Sequence, residues 1–274
     1  MPEREAPPWE SDPFSSHLAD AEHNTRAAAL HWPDVYEVQQ RAYALLVHLG
    51  EALESEKSDE QHLGAPRMLI HRSYSAIVAT MRLAMSGQTV EAQAVLRVGI
   101  EQAWYALHIA SDPAPPTRAK IWWNRDDSAE TTKACQNEFK VGTVRKTHEG
   151  LDPGSAASMK RLYDDAITMG AHPNPGGVMS TLFIEEADAE TVTLGVGILH
   201  PEPVLVLSTI KAAVDVAMGL TKAVSLIYGA AFEHGGLVQE FNGLRAHAAE
   251  VFRAQAAKLR RGPPPPGSAR PRPD

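Results

Sequence analysis

The segment of residues 91–110, EAQAVLRVGIEQAWYALHIA, constrains the fold of this chain more than any other segment does. On a helical wheel it is apolar almost all the way round, and its few polar side chains fall on one side. A helix with this pattern belongs in the middle of a bundle, because neighbouring helices must cover it on nearly every side. The sequence therefore predicts a mainly α-helical protein built around this helix.

The polar side of the same helix contains a basic and an acidic residue one turn apart, Arg97 and Glu101. Together with Trp104, Tyr105 and His108 they fall within about 100° of arc. An unpaired guanidinium inside a bundle is costly, so we expect Arg97 and Glu101 to form an ion pair that is shielded from water. We then expect Arg97→Ala to cost about 3–5 kcal/mol, because Glu101 would be left buried and alone.

The composition is that of an ordinary globular protein, with 43% apolar and 22% charged residues. A net charge of −8 gives no overall positive field for nucleic acid or anionic lipid. Cys135 is the single cysteine, so no disulfide can form within the chain, which fits a reducing cytoplasm. The longest apolar run, residues 204–232, contains Lys211, Asp215 and Lys222, which argues against a membrane span. We expect a soluble, cytoplasmic protein that binds no membrane.

Apolar residues recur at three- and four-residue spacing along most of the chain and predict a helical bundle of about seven to nine helices. We expect one domain, residues 15–261, whose first helix is capped by Ser15 or Ser16. The clearest helical patterns lie at residues 15–31, 34–53, 66–85, 91–110, 156–169, 203–232 and 237–261.

Three other segments have different patterns. Residues 117–148 are more polar and predict one or two short helices. β-Branched residues within 179–199 predict one inserted β-hairpin, with strands at 179–186 and 191–199. The N-terminal residues 1–14 and the Pro-rich residues 262–274 are predicted to be disordered.

The segment of residues 171–177, AHPNPGG, is the second place where chemistry is predicted. A residue before proline is pushed towards extended backbone, so we expect that this segment cannot be helical. One interpretation makes His172 a general base and Asn174 a ligand contact. The other is a helix stop and turn that leads into the hairpin.

The Arg97–Glu101 pair also has two interpretations. Its guanidinium is suited to binding a phosphate or carboxylate, with Glu101, Tyr105 and Tyr163 as further ligand contacts. Alternatively, the pair is a structural clamp that ties several helices together. The histidines lack metal-ligand spacing and no nucleotide-binding glycine loop is present, so no metal and no cofactor is predicted.

The RVGIEQAWYAL stretch resembles an Arg-x-x-x-Glu helix in a family of bacterial helical proteins of unknown function. In that family a Tyr-Asp segment and a His-Pro-Asn-like turn follow, and here they are matched by Tyr163-Asp164 and His172-Pro173-Asn174. The resemblance covers about residues 66–232. These proteins look distantly like the HEPN class of helical bundles, some of which are RNA-cleaving toxins or defence proteins.

Active HEPN nucleases carry an Arg followed by four to six residues and a His, on a helix. Arg26 to His31 and Arg41 to His48 fit that spacing, but both lie outside the segment with the resemblance, and chance placement would give a similar number. We therefore expect a helical protein of bacterial type in which Arg97, Glu101, Tyr163 and His172 converge into one buried polar pocket. Its expected role is binding or scaffolding in bacterial stress or phage defence.

Two further hypotheses stay open. In the first, the chain is a metal-independent ribonuclease in which Arg97 stabilises phosphate and His172 acts as base, with RNA as its partner. In the second, it is a homo-oligomeric module that pairs as a homodimer through its C-terminal helix.

Overall fold

The structure is a computed structural model, and it describes residues 12–55, 63–171, 175–179, 181–187, 191–199, 202–234 and 236–261. The chain is mainly helical, as predicted. The helices, numbered in chain order, are α1 (Pro13–His31), α2 (Pro33–Ser55), α3 (Gly64–Ser86), α4 (Thr89–Ala110), α5 (Thr117–Trp123), α6 (Ala129–Glu138), α7 (Val141–Leu151), α8 (Pro153–Ala166), α9 (Pro175–Met179), α10 (Pro203–Ile227), α11 (Gly229–His234) and α12 (Leu237–Arg261). The strands are β1 (Leu182–Ala187) and β2 (Val192–Val196).

The core is formed where α3, α4 and α10 pack on one another, with α2, α7, α8 and α12 around them. Helix α4 makes its most extensive contact with α3 and also packs against α10, α7 and α8. Its central position is therefore as predicted, but one edge is open, since the Val98 side chain is 46% exposed. The turn between α3 and α4 is made by Gly87, whose φ of 93° suits glycine and whose N–H donates to the Ala84 carbonyl oxygen at 3.1 Å.

The first helix begins earlier than predicted. Asp12, rather than Ser15 or Ser16, is the N-cap, and its carboxylate accepts hydrogen bonds from the N–H groups of Phe14 and Ser15 at 2.9 Å. Pro13 then occupies the first helical position, where its missing N–H costs nothing. The predicted boundary at residue 14 is therefore wrong by two residues, and the other residues of the 1–14 segment lie outside the described ranges.

The polar segment after α4 folds into three short helices, α5, α6 and α7, instead of the predicted one or two. The described residues consequently contain more helices than the predicted seven to nine. Helix α6 begins with a capping box in which the Ser128 hydroxyl accepts from the Thr131 N–H at 3.2 Å. This segment has little apolar periodicity, and its helices depend on such caps and on packing against α4.

The chain after α8 also differs from the prediction. Residues 167–171 form a π-helical turn, and α9 begins at Pro175 within the 171–177 segment that was predicted to be non-helical. Strands β1 and β2 pair antiparallel, with Leu182 opposite Val196 and an irregularity in register between Ile184 and Glu186. They are shorter than the 179–186 and 191–199 segments of the prediction.

Helix α10 is long and apolar enough to cross a membrane by length and composition. More than half of that stretch is buried, because α10 packs against α2, α3, α4, α8 and α12. This burial is typical of the core helix of a water-soluble protein.

The apolar stripe of α12 is covered within the chain. Leu244, Ala248 and Val251 are buried, and the helix lies against α2 and α10. The face that the sequence offered for a homodimer through the C-terminal helix is therefore used for intramolecular packing.

Helices α3 and α4 approach each other closely at Gly99, and a substitution there tests this packing. A Cβ placed on Gly99 would lie 3.2 Å from the Ala76 Cβ and 3.5 Å from the Ser73 carbonyl oxygen. We expect Gly99→Leu to lower the free energy of unfolding by about 1–3 kcal/mol, because the two helices must separate. Urea unfolding followed by circular dichroism measures this change.

The matched control is Gly243→Leu in α12, where a Cβ meets no atom within 4 Å among the described residues. That substitution removes a helix-destabilising glycine and is expected to raise stability by up to about 1 kcal/mol. Equal effects of the two substitutions would contradict the close α3–α4 contact.

Candidate functional site

Arg97 and Glu101 form the ion pair that the sequence predicts. The Arg97 Nε donates to the Glu101 Oε1 at 2.9 Å, as expected for residues one helical turn apart. Their side chains are 28% and 27% exposed. The predicted pairing is therefore confirmed, whereas the expectation of a pair sealed away from water is wrong, because α4 has an open edge here.

Tyr163 joins this pair from α8. Its hydroxyl donates to the same Glu101 Oε1 at 2.8 Å, and the Arg97 guanidinium carbon lies 5.5 Å from the centre of the Tyr163 ring. The ring also packs against Trp104, with 5.0 Å between ring centres. We refer to Arg97, Glu101 and Tyr163 as the α4–α8 cluster.

The position of Tyr163 follows from how α8 begins. The Asp152 carboxylate caps the helix by accepting from the N–H groups of Gly154 and Ser155 at 3.1 and 3.0 Å. Pro153 fills the first helical position. The start of α8 is thus fixed, and its buried stripe carries Tyr163 to α4.

The α4–α8 cluster contains two groups whose charge is constant around neutral pH. Burial, together with the hydrogen bond to Glu101, raises the pKa of the Tyr163 phenol to about 12. The Arg97 guanidinium remains a cation at any physiological pH. The cluster is therefore suited to a permanent cross-link between α4 and α8, and neither group is matched to proton transfer near neutrality.

Tyr105 lies one turn after Glu101 but makes a different contact. Its hydroxyl donates to the Phe139 carbonyl oxygen at 3.2 Å, and the two rings are 4.8 Å apart at their centres. Burial raises the pKa of its phenol. Tyr105 thus connects α4 to the end of α6. A ligand site shared with the α4–α8 cluster would require its hydroxyl to point towards that cluster, and it points to Phe139 instead.

His172 and Asn174, the other predicted site residues, lie outside the described residues. Gly170, two residues before His172, lies directly against the backbone of Val90 near the start of α4. Arg97 is about two turns, or about 10 Å, further along that helix.

Trp104 and His148 form a buried contact that the sequence did not predict. The Trp104 Nε1–H donates to the His148 Nδ1 at 3.1 Å, and both side chains are about 1% exposed. Because indole nitrogen only donates, the imidazole is neutral and holds its proton on Nε2. That Nε2 is buried and has no hydrogen-bond partner within the described ranges. Burial lowers the pKa of His148, against a smaller raising effect of Asp152.

His108 is the centre of a second polar contact at the end of α4. Its ring nitrogens lie 2.7 Å from the Thr147 Oγ1 and 3.1 Å from the Glu138 Oε1. Arg118 donates to that same Glu138 oxygen at 2.9 Å and to the His108 carbonyl oxygen at 2.9 Å. The sequence places His108 on the polar side of α4 but does not identify its hydrogen-bond partners. Those partners, Thr147 and Glu138, lie in residues 117–148, where apolar residues show no helical periodicity.

Three of the four side chains that fit the HEPN-like spacing contact carboxylates on the surface, and the fourth, His31, packs edge-on against the Trp32 ring. Arg41 pairs with Glu37 at 2.6 Å, and His48 contacts Glu240 of α12 at 2.9 Å. Arg26 similarly pairs with Glu22 within α1. In these positions they tie helices or helical turns together.

Cys135 is buried, and burial raises the pKa of its thiol, which reduces its reactivity as a nucleophile. Among the described residues, no group of three or more His, Cys, Asp and Glu side chains is arranged to hold a metal ion.

Comparison of the chain with protein-family models, curated proteins and solved structures finds no match. The resemblance to HEPN-like bacterial proteins therefore stays a prediction.

The geometry of the α4–α8 cluster changes the stability expected for Arg97→Ala. Because water reaches Glu101 and Tyr163 still donates to it, the loss is expected to be about 1–3 kcal/mol, below the range expected for a sealed pair. Urea unfolding measures it. The control is Arg26→Ala, which removes an exposed pair of the same spacing and is expected to cost less than about 0.5 kcal/mol. Equal losses would show that the α4–α8 cluster contributes nothing beyond a surface ion pair.

The buried His148 predicts a dependence of stability on pH. Its folded-state pKa is lowered, so its contribution is complete above the unfolded pKa, about 6.5, and is lost as pH falls towards the folded value. We expect His148→Asn, which retains an acceptor for Trp104 but does not titrate, to show a smaller fall in Tm between about pH 7 and about pH 5. His23→Asn, at an exposed position of α1, should follow the native profile. A native profile in His148→Asn would mean that His148 is not buried as a neutral ring.

Proposed function

We propose that this chain is a helical binding or scaffolding protein in which the α4–α8 cluster is a structural clamp. One observation carries the proposal: a single oxygen, Glu101 Oε1, accepts from Arg97 at 2.9 Å and from Tyr163 at 2.8 Å. Both donors come from side chains whose charge is constant near neutral pH. Such an arrangement supports a fixed cross-link more than it supports acid–base catalysis.

The resemblance to the bacterial helical family supports a role in bacterial stress or phage defence. The net charge of −8, the single cysteine and the burial of α10 support a soluble, cytoplasmic protein. We place α1 to α12 in one helical-bundle domain, close to the predicted residues 15–261 but beginning at Pro13, with the β1–β2 pair as an insertion between α9 and α10.

An RNA-degradation assay tests this proposal against the ribonuclease hypothesis. Total RNA is incubated, in the presence of EDTA, with the native chain, with His172→Ala and with Arg97→Ala. A binding or scaffolding role predicts intact RNA in all three samples. In a HEPN-type ribonuclease, Arg97 would stabilise the phosphate and His172 would act as base, so cleavage would be lost in both variants.

The matched control is His23→Ala, which removes an exposed imidazole from α1. Cleavage by the native chain and by His23→Ala, together with its loss in His172→Ala, would contradict the binding or scaffolding role. Cleavage that is equal in every sample would come from a contaminating nuclease and would leave the enzyme hypothesis without support.

A further inference from the structure

Helices α8, α10 and α12 enclose a groove that is bordered on α8 by side chains within residues 154–162. Its volume is about 530 Å³, and a second cavity of about 470 Å³ continues it between α10 and α12. The two cavities share Lys211, Asp215, Met218 and Arg245, so they form one elongated depression that we call the basic groove. Its size is in the range of small-molecule sites.

The floor of the basic groove is apolar. Met159 and Leu162 of α8 line one part, and they are 1% and 8% exposed. Phe252 of α12, also 8% exposed, lines the continuation, with Met218 between the two parts. This surface offers favourable burial to an apolar body laid along it.

The rim of the basic groove carries two carboxylates, and each is matched by a lysine. Asp152 lies 3.7 Å from the Lys222 ammonium, and Asp215 pairs with Lys211 at 2.5 Å, one turn away on α10. Each of these pairs joins one positive and one negative side chain and therefore has no net charge. They leave the remaining cations of the rim to determine its electrostatic character.

Those remaining cations are three exposed arginines, Arg161 of α8 and Arg245 and Arg253 of α12. In the part of the chain that the structure describes, none of the three has a carboxylate within ion-pairing distance. Arg245 lies with its guanidinium carbon 5.8 Å from the centre of the Phe241 ring, at the edge of the groove. A chain with a net charge of −8 thus concentrates positive charge around one apolar depression.

We propose that the basic groove binds an anionic amphiphile, a molecule with an apolar body and a carboxylate or phosphate head. The apolar body would lie on the Met159, Leu162 and Met218 floor. The head would be held by the guanidinium groups of Arg161 and Arg245, whose planar donors match carboxylate and phosphate oxygens. The inference rests on the proposed binding role, since it names the ligand class.

The charge and the apolar floor together favour this ligand over simpler ones. A small inorganic anion would use the arginines but leave the floor in water. An uncharged or cationic amphiphile would cover the floor but leave three guanidinium groups without a partner. Only a molecule with both features satisfies both surfaces.

Calorimetric titration of the full chain with dodecanoate and with dodecyl phosphate, below their micelle concentrations, tests the proposal. Both are expected to bind, whereas dodecyltrimethylammonium and inorganic phosphate are expected to bind much more weakly. The double variant Arg161→Gln/Arg245→Gln should weaken binding of the two anions at least about tenfold. The control Arg260→Gln, an exposed arginine of α12 outside the groove, should leave it unchanged.

Anionic head groups also occur in membrane lipids. A second experiment, vesicle sedimentation, therefore distinguishes a soluble amphiphile from a membrane lipid as the ligand. Vesicles of equal parts phosphatidylglycerol and phosphatidylcholine are sedimented with the native chain and with the double variant. Binding to free amphiphiles alone identifies a soluble ligand, and arginine-dependent binding to vesicles identifies a lipid head group. Both results support an anionic amphiphile as the ligand.

Three results would overturn the proposal: equal binding of dodecyltrimethylammonium, binding that the double variant does not weaken, or binding of neither free anion nor vesicle by the native chain. Circular dichroism verifies that the variants are folded. If the double variant does not fold, the single variants Arg161→Gln and Arg245→Gln are titrated, and each is expected to weaken binding at least about threefold. These outcomes are independent of the RNA assay. The proposal of an anionic amphiphile as ligand and the proposal of a non-catalytic role can therefore be contradicted separately.

Discussion

The position of α8 on α4 depends on one carboxylate oxygen, the Oε1 of Glu101. It accepts from Arg97 on its own helix and from Tyr163 on α8, at 2.9 and 2.8 Å. A partly buried carboxylate is expensive to desolvate, and two donors, one of them charged, offset that cost. Because the phenol comes from the other helix, Glu101 is satisfied in this way only when α8 is in place.

Further along the same edge of α4, two more side chains form polar contacts with neighbouring helices. Trp104 contacts His148 of α7, and His108 contacts Thr147 and Glu138 at 2.7 and 3.1 Å. The opposite faces of α4 pack through apolar side chains against α3 and α10. Helix α4 therefore joins two kinds of structure: an apolar core on one side and short, polar helices fixed by hydrogen bonds on the other. The basic groove lies between α8, α10 and α12, and its lining residues do not include Arg97, Glu101 or Tyr163.

The strongly periodic parts of the fold could be predicted from the sequence. The bounds of α12 agree with the prediction, and those of α2 and α3 agree within two residues, because apolar spacing and helix-stop residues act locally. The Arg97–Glu101 pair could be predicted for the same reason, since both residues are on one helix. The family resemblance indicates Tyr163, but the hydrogen bond that it makes depends on how α8 packs.

The short helices α5 to α7, the exposed edge of α4 and the basic groove depend on contacts between segments that are distant in sequence. The spacing of apolar residues along the chain does not predict such contacts. Helices α5 to α7 are held by partners such as Arg118 and Glu138, and neither lies on an apolar stripe. The exposed edge of α4 depends on how α7 and α8 pack beside it, so the sequence pattern wrongly predicts full burial of Arg97, whose side chain is 28% exposed. The basic groove combines arginines from helices more than 80 residues apart in sequence, Arg161 and Arg245, and no local pattern connects them.

A double-mutant cycle between Glu101 and Tyr163 tests the central claim most directly. The free energies of unfolding of the native chain, Glu101→Ala, Tyr163→Phe and the double variant are measured by urea titration. A shared hydrogen bond between α4 and α8 predicts a coupling energy of about 1–2 kcal/mol, so the double variant loses less than the sum of the single losses. Losses that add within about 0.5 kcal/mol would contradict the claim that this carboxylate holds α8 on α4.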